Sequence, residues 1–354
     1  MRPAFTLTGG GIQALSVPCG PPTNSGAAAS LAGELVEHLK LLLHSAISPG
    51  SRRTYQRAWT VYSKFAEQFG LSDTLSLPLS VNSVALFIAH LSSKRLAPAT
   101  ISTYISAISY VHKLKGYADP TKAFLILKLL SAIKSRSRPD IRLPITLPVL
   151  RLLVDALRQT SSSFYHRTLF TAMFLTAFYG FLRVGEITCQ TTGSGRSVLQ
   201  HQDLSFLLRQ GEVIAAKLTL TNFKHNSSGR PFYIHILQQP GSAYCPVKAL
   251  KSFCTLRGSR PGPLFTLADG SSVSTHHFSQ ALSHCLTFCG LDNSHYKPHS
   301  FRIGAASFAA DQGFTDAQIR GLGRWKSDAF KVYLRSSSLV ATSEPLTSTG
   351  TAEL

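Results

Sequence analysis

The stretch Ser135-Arg136-Ser137-Arg138-Pro139-Asp140-Ile141-Arg142-Leu143-Pro144 carries three arginines, two prolines and almost no apolar content. Prolines remove backbone donors and charges resist burial, so the segment reads as an extended basic linker, placed at residues 135–146. The chain must therefore bury two separate cores. Its length of 354 residues and its 44% hydrophobic content supply enough material for both.

Before the linker, residues 1–30 are rich in Gly, Pro, Ser and Ala and are expected to form a mobile tail. Residues 31–134 then show helical spacing of apolar positions. Leu35, His38, Leu39 and Leu42 mark a helix over Leu31–Ala46. Ser51 is placed to cap a second, with Tyr55, Trp59, Tyr62, Ala66 and Phe69 on one face and Arg53, Arg57 and Lys64 opposite. A third is expected over Val81–Ser93, and a fourth after Pro98, with Ile101, Tyr104, Ile105, Ile108 and Val111 as its stripe. Asp119-Pro120 breaks the chain before a fifth, from Thr121 to about Lys134.

After the linker, residues 147–336 mix two periods. Helices are predicted at Leu147–Arg158, Ser162–Leu182, Val247–Arg257, Ser274–Cys289 and Ser300–Gln312. Between Leu204 and Ile236 the pattern turns to short strands, Val213–Thr221 and Pro231–Ile236, with Asn226, Ser227, Ser228 and Gly229 supplying the turn. The expected fold is mainly α with a small β-sheet. Residues 337–354 are left as a Ser/Thr-rich tail. The longest apolar run, Thr168 to Leu182, is shorter than the ~20 residues a membrane helix needs, so it is read as a helix buried in a core and no membrane contact is expected.

Charge narrows the partners. The chain holds 36 Lys+Arg against 17 Asp+Glu, a net +19, and residues 1–150 carry 16 and 6 of these. Both halves are basic, which suits a polyanion and disfavours acidic partners. Six scattered cysteines, Cys19, Cys189, Cys245, Cys254, Cys285 and Cys289, form no CxxC pair, and nothing at the N-terminus resembles a signal peptide, so a reduced intracellular compartment is expected. Cys285 and Cys289 lie one helical turn apart near His276, His277 and His284. One ligand pair without a second reads as small buried thiols, and no metal is expected. A phosphate loop is absent, so no nucleotide cofactor is expected either.

The chemistry lies in a train of cationic and hydrogen-bonding residues: Arg183, Lys224, His299, Arg302, Trp325 and Tyr333. Two arginines, a lysine and a histidine can neutralise the oxygens of a phosphodiester in a transition state while a tyrosine hydroxyl attacks phosphorus. Arg183 stands in Gly180-Phe181-Leu182-Arg183-Val184-Gly185-Glu186-Ile187, where Glu186 is a candidate partner. His299 and Arg302, three apart at a helix start, project from one face. Lys224 lies at the tip of the predicted hairpin, with Lys217 on the preceding strand as competitor. The C-terminal phrase runs Leu322-Gly323-Arg324-Trp325-Lys326-Ser327-Asp328-Ala329-Phe330-Lys331-Val332-Tyr333, with Ser327 placed to cap a short helix.

In order and spacing these residues resemble the active-site signature of the tyrosine recombinases, the phage-integrase class of DNA breaking and joining enzymes. The resemblance spans roughly residues 31–336 and includes Leu96–Tyr104 in the helical block. It implies a helical core-binding domain at 31–134 and an α+β catalytic domain at 147–336, together forming a clamp around double-stranded DNA. It also implies Tyr333 as nucleophile, Arg183 and Arg302 on the phosphate, Lys224 as general acid, and His299 and Trp325 as phosphate or proton partners. Cleavage through a 3′-phosphotyrosine needs no cofactor. Four protomers on two DNA sites are expected, with Leu339 and Val340 of the tail a candidate for docking onto a neighbour. The Trp325 phrase is closest to recombinases of eukaryotic mobile elements, the DIRS-like retrotransposons and Cryptons, which implies a nuclear site of action. The family places nine residues between its penultimate site residue and the tyrosine. Arg324 has that spacing and Trp325 has eight, so both stay candidates. A type IB topoisomerase, or a DNA-binding protein that no longer recombines, would satisfy the same residues.

Overall fold

Proline and serine set where the first helices begin. Pro49 opens a helix because it lacks the N–H that a first turn would leave unpaired, and the Ser48 hydroxyl accepts the N–H of Ser51 at 3.1 Å. Ser51 is thus the capped residue and Ser48 the cap, a correction to the expected start. The computed structural model describes residues 25–71, 76–136, 142–189, 198–221, 223, 226, 229–331 and 334. Its backbone divides the chain into two compact units, residues 1–139 and 140–354.

In the first unit the helices are α1 (Ser25–Ser45), α2 (Pro49–Gln68), α3 (Val81–Ser93), α4 (Pro98–Leu114) and α5 (Phe124–Ser135). The core gathers Trp59, Tyr62 and Phe65 of α2, Phe87 and Ile88 of α3 and Ile101, Ile105 and Ile108 of α4. Tyr62 and Phe87 meet edge to face at 5.1 Å, the arrangement aromatic quadrupoles favour. His112 is fully buried. Its Nδ1–H donates to the Ile108 carbonyl at 2.8 Å and its Nε2 accepts the Leu79 N–H at 2.9 Å, tying the segment before α3 to α4. The fifth helix starts later than expected. Asp119 accepts the N–H and the hydroxyl of Thr121, closing a 3-10 turn at Pro120–Lys122 that delays α5 to Phe124.

The second unit packs α6 (Leu147–Thr160), α7 (Phe164–Tyr179), α9 (Pro246–Arg257), α10 (Thr275–Phe288) and α11 (Ser300–Asp311) around one core. The last three turns of helix α7 are almost wholly apolar because they are enclosed, with Leu169, Phe170 and Ala172 through Phe178 all buried. It ends short of the expected Leu182. Gly180 caps it, and a Cβ there would press on the Thr176 carbonyl at 2.8 Å. Phe181 then takes φ 50°, turning the chain into the one-turn helix α8 (Val184–Ile187).

The sheet is antiparallel in the order β1 (Leu204–Arg209), β2 (Glu212–Leu220), β3 (Phe232–Leu237). Leu218 and Leu220 of β2 and Ile234 and Ile236 of β3 face the core. Strand β3 begins after Pro231, which has no N–H for the ladder. Strand β1 was not singled out in the sequence, because as a half-exposed edge strand it shows no clean alternation. The short helix α12 (Asp316–Gly323) closes the unit, followed by a 3-10 turn at Asp328–Phe330. Ser327 precedes that turn but makes no side-chain cap bond. Gly304 of α11 lies where the chain entering α6 crosses. The Ile145 N–H donates to the Ser300 carbonyl at 3.0 Å, and a Cβ on Gly304 would overlap the Ile145 backbone.

Among the described residues no helix is long and apolar enough to cross a membrane. Residues 1–24 of the tail expected over 1–30, the tail at 337–354, most of the hairpin turn and residues 137–141 of the expected linker lie outside the described residues, whereas Ser25–Ser30, expected in the N-terminal tail, open helix α1.

Candidate active site

Two sharp backbone turns bring four of the six sequence candidates together. The first is the α7–α8 corner at Phe181. The second is the end of α12, where Arg324 adopts the left-handed conformation with φ 54° and ψ 43°. Gly323 precedes it, and a Cβ there would overlap the Trp325 ring, so glycine is what lets Trp325 fold back onto α12.

Arg183 is the first residue after that first corner with a polar side chain. Its N–H donates to Glu186 Oε2 at 2.9 Å and its Nη1 to Glu186 Oε1 at 3.0 Å. The Arg183 side chain is 22% exposed and Glu186 only 5%, so the guanidinium reaches the surface from a buried carboxylate.

Arg302 lies deeper. It is 1% exposed, with Nη1 donating to the Phe181 carbonyl at 2.5 Å and Nη2 to the Gly323 carbonyl. One guanidinium therefore joins both turns. Trp325 lies against it, with Arg302 Cζ 4.2 Å from the ring centroid. The Trp325 ring also meets Phe181 edge to face at 6.4 Å and Phe330 at 5.6 Å. Trp325 is thus a platform for Arg302, and the indole is half-buried.

His299 begins α11 one turn before Arg302. Burial pushes its imidazole down to a pKa of about 4, and the charges of Arg302, Arg142 and Arg183 add to that in that order. The ring is neutral at pH 7, able to accept a proton at one nitrogen and donate at the other. Arg142, which the sequence reading put only in the linker, joins the cluster this way. Its signal was present in the basic run, but nothing in sequence distance from His299 betrayed it.

Arg324 is the other residue that sequence left ambiguous. Its Nη2 donates to Glu186 Oε2 at 2.7 Å and to the Phe181 carbonyl at 3.3 Å. Its guanidinium carbon lies 5.8 Å from the Phe223 ring and 5.4 Å from the Phe232 ring. Burial pushes the Arg324 pKa down and Glu186 pulls it back, and the guanidinium stays charged. Glu186, noted in the sequence only as a partner of Arg183, therefore holds two arginines.

Lys224 and Tyr333 lie outside the described residues. Their neighbours are placed. Phe223 packs on Phe232 at 6.1 Å, and Asn226 Nδ2 donates to the Thr221 and Arg230 carbonyls at 2.7 and 2.9 Å, closing the neck of the hairpin. Phe330 is fully buried and Leu334 packs on the core. Lys217, the competitor to Lys224, holds its ammonium 5.5 Å from the ring of Tyr233, which is half-exposed on the sheet.

The cysteine cluster is apolar in character. Burial pushes the Cys285 thiol up to about 11, and among the described residues no three His, Cys, Asp or Glu side chains gather as metal ligands.

Residues 36–115 match the family model of the phage integrase N-terminal SAM-like domain. Solved structures resemble most of the chain, three of them as follows. A lambda integrase tetramer bound to a Holliday junction aligns with TM-score 0.53 and 14% identity, over 88% of this chain and 84% of that one. The Tn1549 transposon integrase in complex with circular intermediate DNA gives 0.54 and 12%, over 87% and 93%. The XerH site-specific recombinase bound to its difH substrate gives 0.56 and 13%, over 88% of each. The fold is that of the tyrosine recombinases. No curated protein matches the chain in sequence. Within the tyrosine-recombinase fold of this chain, Arg183, His299, Arg302 and Trp325 converge on the corner built by Phe181 and Gly323, while Arg324 braces the corner through Glu186.

Proposed function

We propose that the chain is a site-specific DNA recombinase that cuts and rejoins double-stranded DNA through a 3′-phosphotyrosine intermediate. The observation that carries this reading is the convergence of Arg183, His299 and Arg302 on one corner, from segments over a hundred residues apart in sequence. Such a corner concentrates positive charge in a partly dry setting, where it acts most strongly on an anionic transition state.

Tyr333 Oη attacks the scissile phosphorus. The new bond is Oη–P, the bond broken is P–O5′, and the departing O5′ takes a proton from Lys224. His299, neutral near pH 7, accepts the tyrosine proton. Arg183, the more exposed guanidinium, holds a non-bridging oxygen directly. Arg302, expected to hold the phosphate in the same way, gives one N–H of each Nη to a carbonyl and so also keeps the corner shut while adding its charge from beneath. A free 5′-hydroxyl from a partner strand then reverses the step. The bond energy is kept in the phosphotyrosine, so no nucleotide is consumed.

Joining two duplexes requires four active sites, which supports a tetramer on two DNA sites. The lambda integrase of similar fold is seen as a tetramer on a Holliday junction. The basic helical unit and the basic catalytic unit both contribute to DNA binding. The Gly323–Tyr333 phrase supports a eukaryotic mobile element as origin and a nuclear site of action.

The test is incubation with a duplex nicked close to the target phosphate, so that cleavage releases a short strand and traps the protein. A covalent adduct, followed by joining to a second duplex, is the expected result. Adduct formation and supercoil relaxation by a protein that stays monomeric on DNA would instead indicate a topoisomerase. Tight DNA binding with neither product would make it a retired binding protein.

A further inference from the structure

Glu186 poses an electrostatic problem that the corner must solve. A buried carboxylate 3.0 Å from Arg183 Nη1 cancels most of the charge that Arg183 would otherwise offer to a phosphate. Arg324 is placed to offset it. Its Nη2 donates to the same carboxylate at 2.7 Å from 138 positions away in sequence, with a side chain only 3% exposed. Two guanidiniums then share one carboxylate, and the trio retains net positive charge.

The location of Arg324 argues that the side chain was required there. The helix α12 ends in the left-handed region at this residue, a position where glycine is the unstrained choice. Its Nε and Nη1 are buried with no hydrogen-bond partner among the described residues, covered by the Phe223 and Phe232 rings. An arginine installed only for stability would be poorly served by such a site. Its backbone carbonyl also accepts from Arg183 Nη2 at 3.5 Å, so main chain and side chain together contact both members of the Arg183–Glu186 pair.

We propose that Arg324 is a positioning residue for strand cleavage: by neutralising Glu186 it leaves the Arg183 guanidinium charged and aimed at the scissile phosphate. This rests on the recombinase reading above. It also separates Arg324 from Trp325, whose ring stacks on the Arg302 guanidinium.

The experiment measures single-turnover adduct formation by the full chain on two nicked duplexes, one with an ordinary scissile phosphate and one with a methylphosphonate, which lacks one anionic oxygen. Arg324→Met is expected to slow cleavage of the phosphate substrate at least ~30-fold, with DNA affinity changed less than about threefold. On the methylphosphonate, where there is less charge to neutralise, the loss is expected to shrink below about fivefold. Arg324→Lys keeps the charge and is expected to restore most of the rate. The double variant Glu186→Gln with Arg324→Met removes both opposing charges and is expected to cleave at least ~10-fold faster than Arg324→Met alone.

Equal losses on both substrates would overturn the proposal, as would a lysine variant no better than methionine or a double variant no faster than the single. If Arg324→Met fails to fold, Arg324→Lys and the double variant are compared with wild type instead: both are expected to cleave the phosphate substrate within about tenfold of wild type, and a loss of more than ~30-fold in both would overturn the proposal. Wild-type protein that forms no adduct on either duplex sinks the recombinase reading and this inference together. Wild-type adduct with Arg324→Met unimpaired sinks this inference alone.

Discussion

The guanidinium of Arg302 donates to the carbonyl oxygen of Phe181 at 2.5 Å, across 121 positions of sequence. Phe181 has a left-handed backbone, and its carbonyl is also an acceptor for Arg324. That one oxygen links the corner that sets Arg183 to the helix carrying His299 and to the end of α12. The arrangement behaves as a single mechanical unit, and substitutions within it are expected to be strongly non-additive.

Replacing Arg302 with Ala is expected to leave the carbonyls of Phe181 and Gly323 without their donor and to slow adduct formation at least ~100-fold. Arg302→Lys cannot reach both carbonyls with one ammonium and is expected to recover little. Quench-flow trapping on a nicked duplex, paired with thermal unfolding, separates rate from stability. A cleavage rate unchanged in Arg302→Ala would show that the corner works without it.

Tyr333→Phe loses only a hydroxyl. DNA affinity is expected to stay within about twofold while the adduct vanishes entirely. Persistence of a covalent complex in this variant would name a different nucleophile, and peptide mapping of the adduct would identify it.

Lys224→Ala is expected to slow cleavage of an ordinary phosphodiester by about 100-fold or more, the scale of a lost general acid. A substrate with sulfur at the 5′-bridging position releases a thiolate, whose conjugate acid has a pKa near ~8.5, and needs no proton donor. Cleavage of that substrate by Lys224→Ala is expected within about tenfold of wild type. If Lys217→Ala and not Lys224→Ala shows this pattern, the acid sits on the strand.

Gly304→Ala puts a methyl group into the Ile145 backbone. The entry to α6 must then move away from α11, at an expected cost of about 3 kcal/mol or more in unfolding free energy. Chemical denaturation of the second unit within the full chain measures this. A change under about 0.5 kcal/mol would mean that the crossing is looser than its geometry implies.

His299 has a folded pKa of about 4 against an ordinary 6.5. Between those values the unfolded chain binds the proton and the folded chain does not, so stability rises with pH across that window. On acidification it is expected to fall from about pH 6.5 downward and to level off near pH 4, with no contribution from this group above 6.5. His299→Gln is expected to flatten that part of the curve. A wild-type curve with the same slope as the variant between pH 4 and 6.5 would refute the assignment.

Periodicity and punctuation were enough to find most of the architecture. Val81–Ser93 was legible to the residue, because Ser80 caps it and the apolar stripe of Val84, Phe87, Ile88 and Leu91 is the face it buries. The start of α4 at Pro98 and the burial of the run after Arg167 followed from equally local causes, a missing N–H and an unbroken apolar sequence. Site candidates could be named from residue type and spacing because phosphate chemistry admits few side chains. What sequence could not decide was which of those side chains face a substrate and which serve one another. The burial of Arg302, the sharing of Glu186 between Arg183 and Arg324, and the arrival of Arg142 beside His299 all depend on contacts between segments far apart in the chain. Local pattern reports only how a segment satisfies its own backbone. The charge state and exposure of a side chain depend on what the fold packs against it, and two left-handed turns, at Phe181 and Arg324, set that packing here.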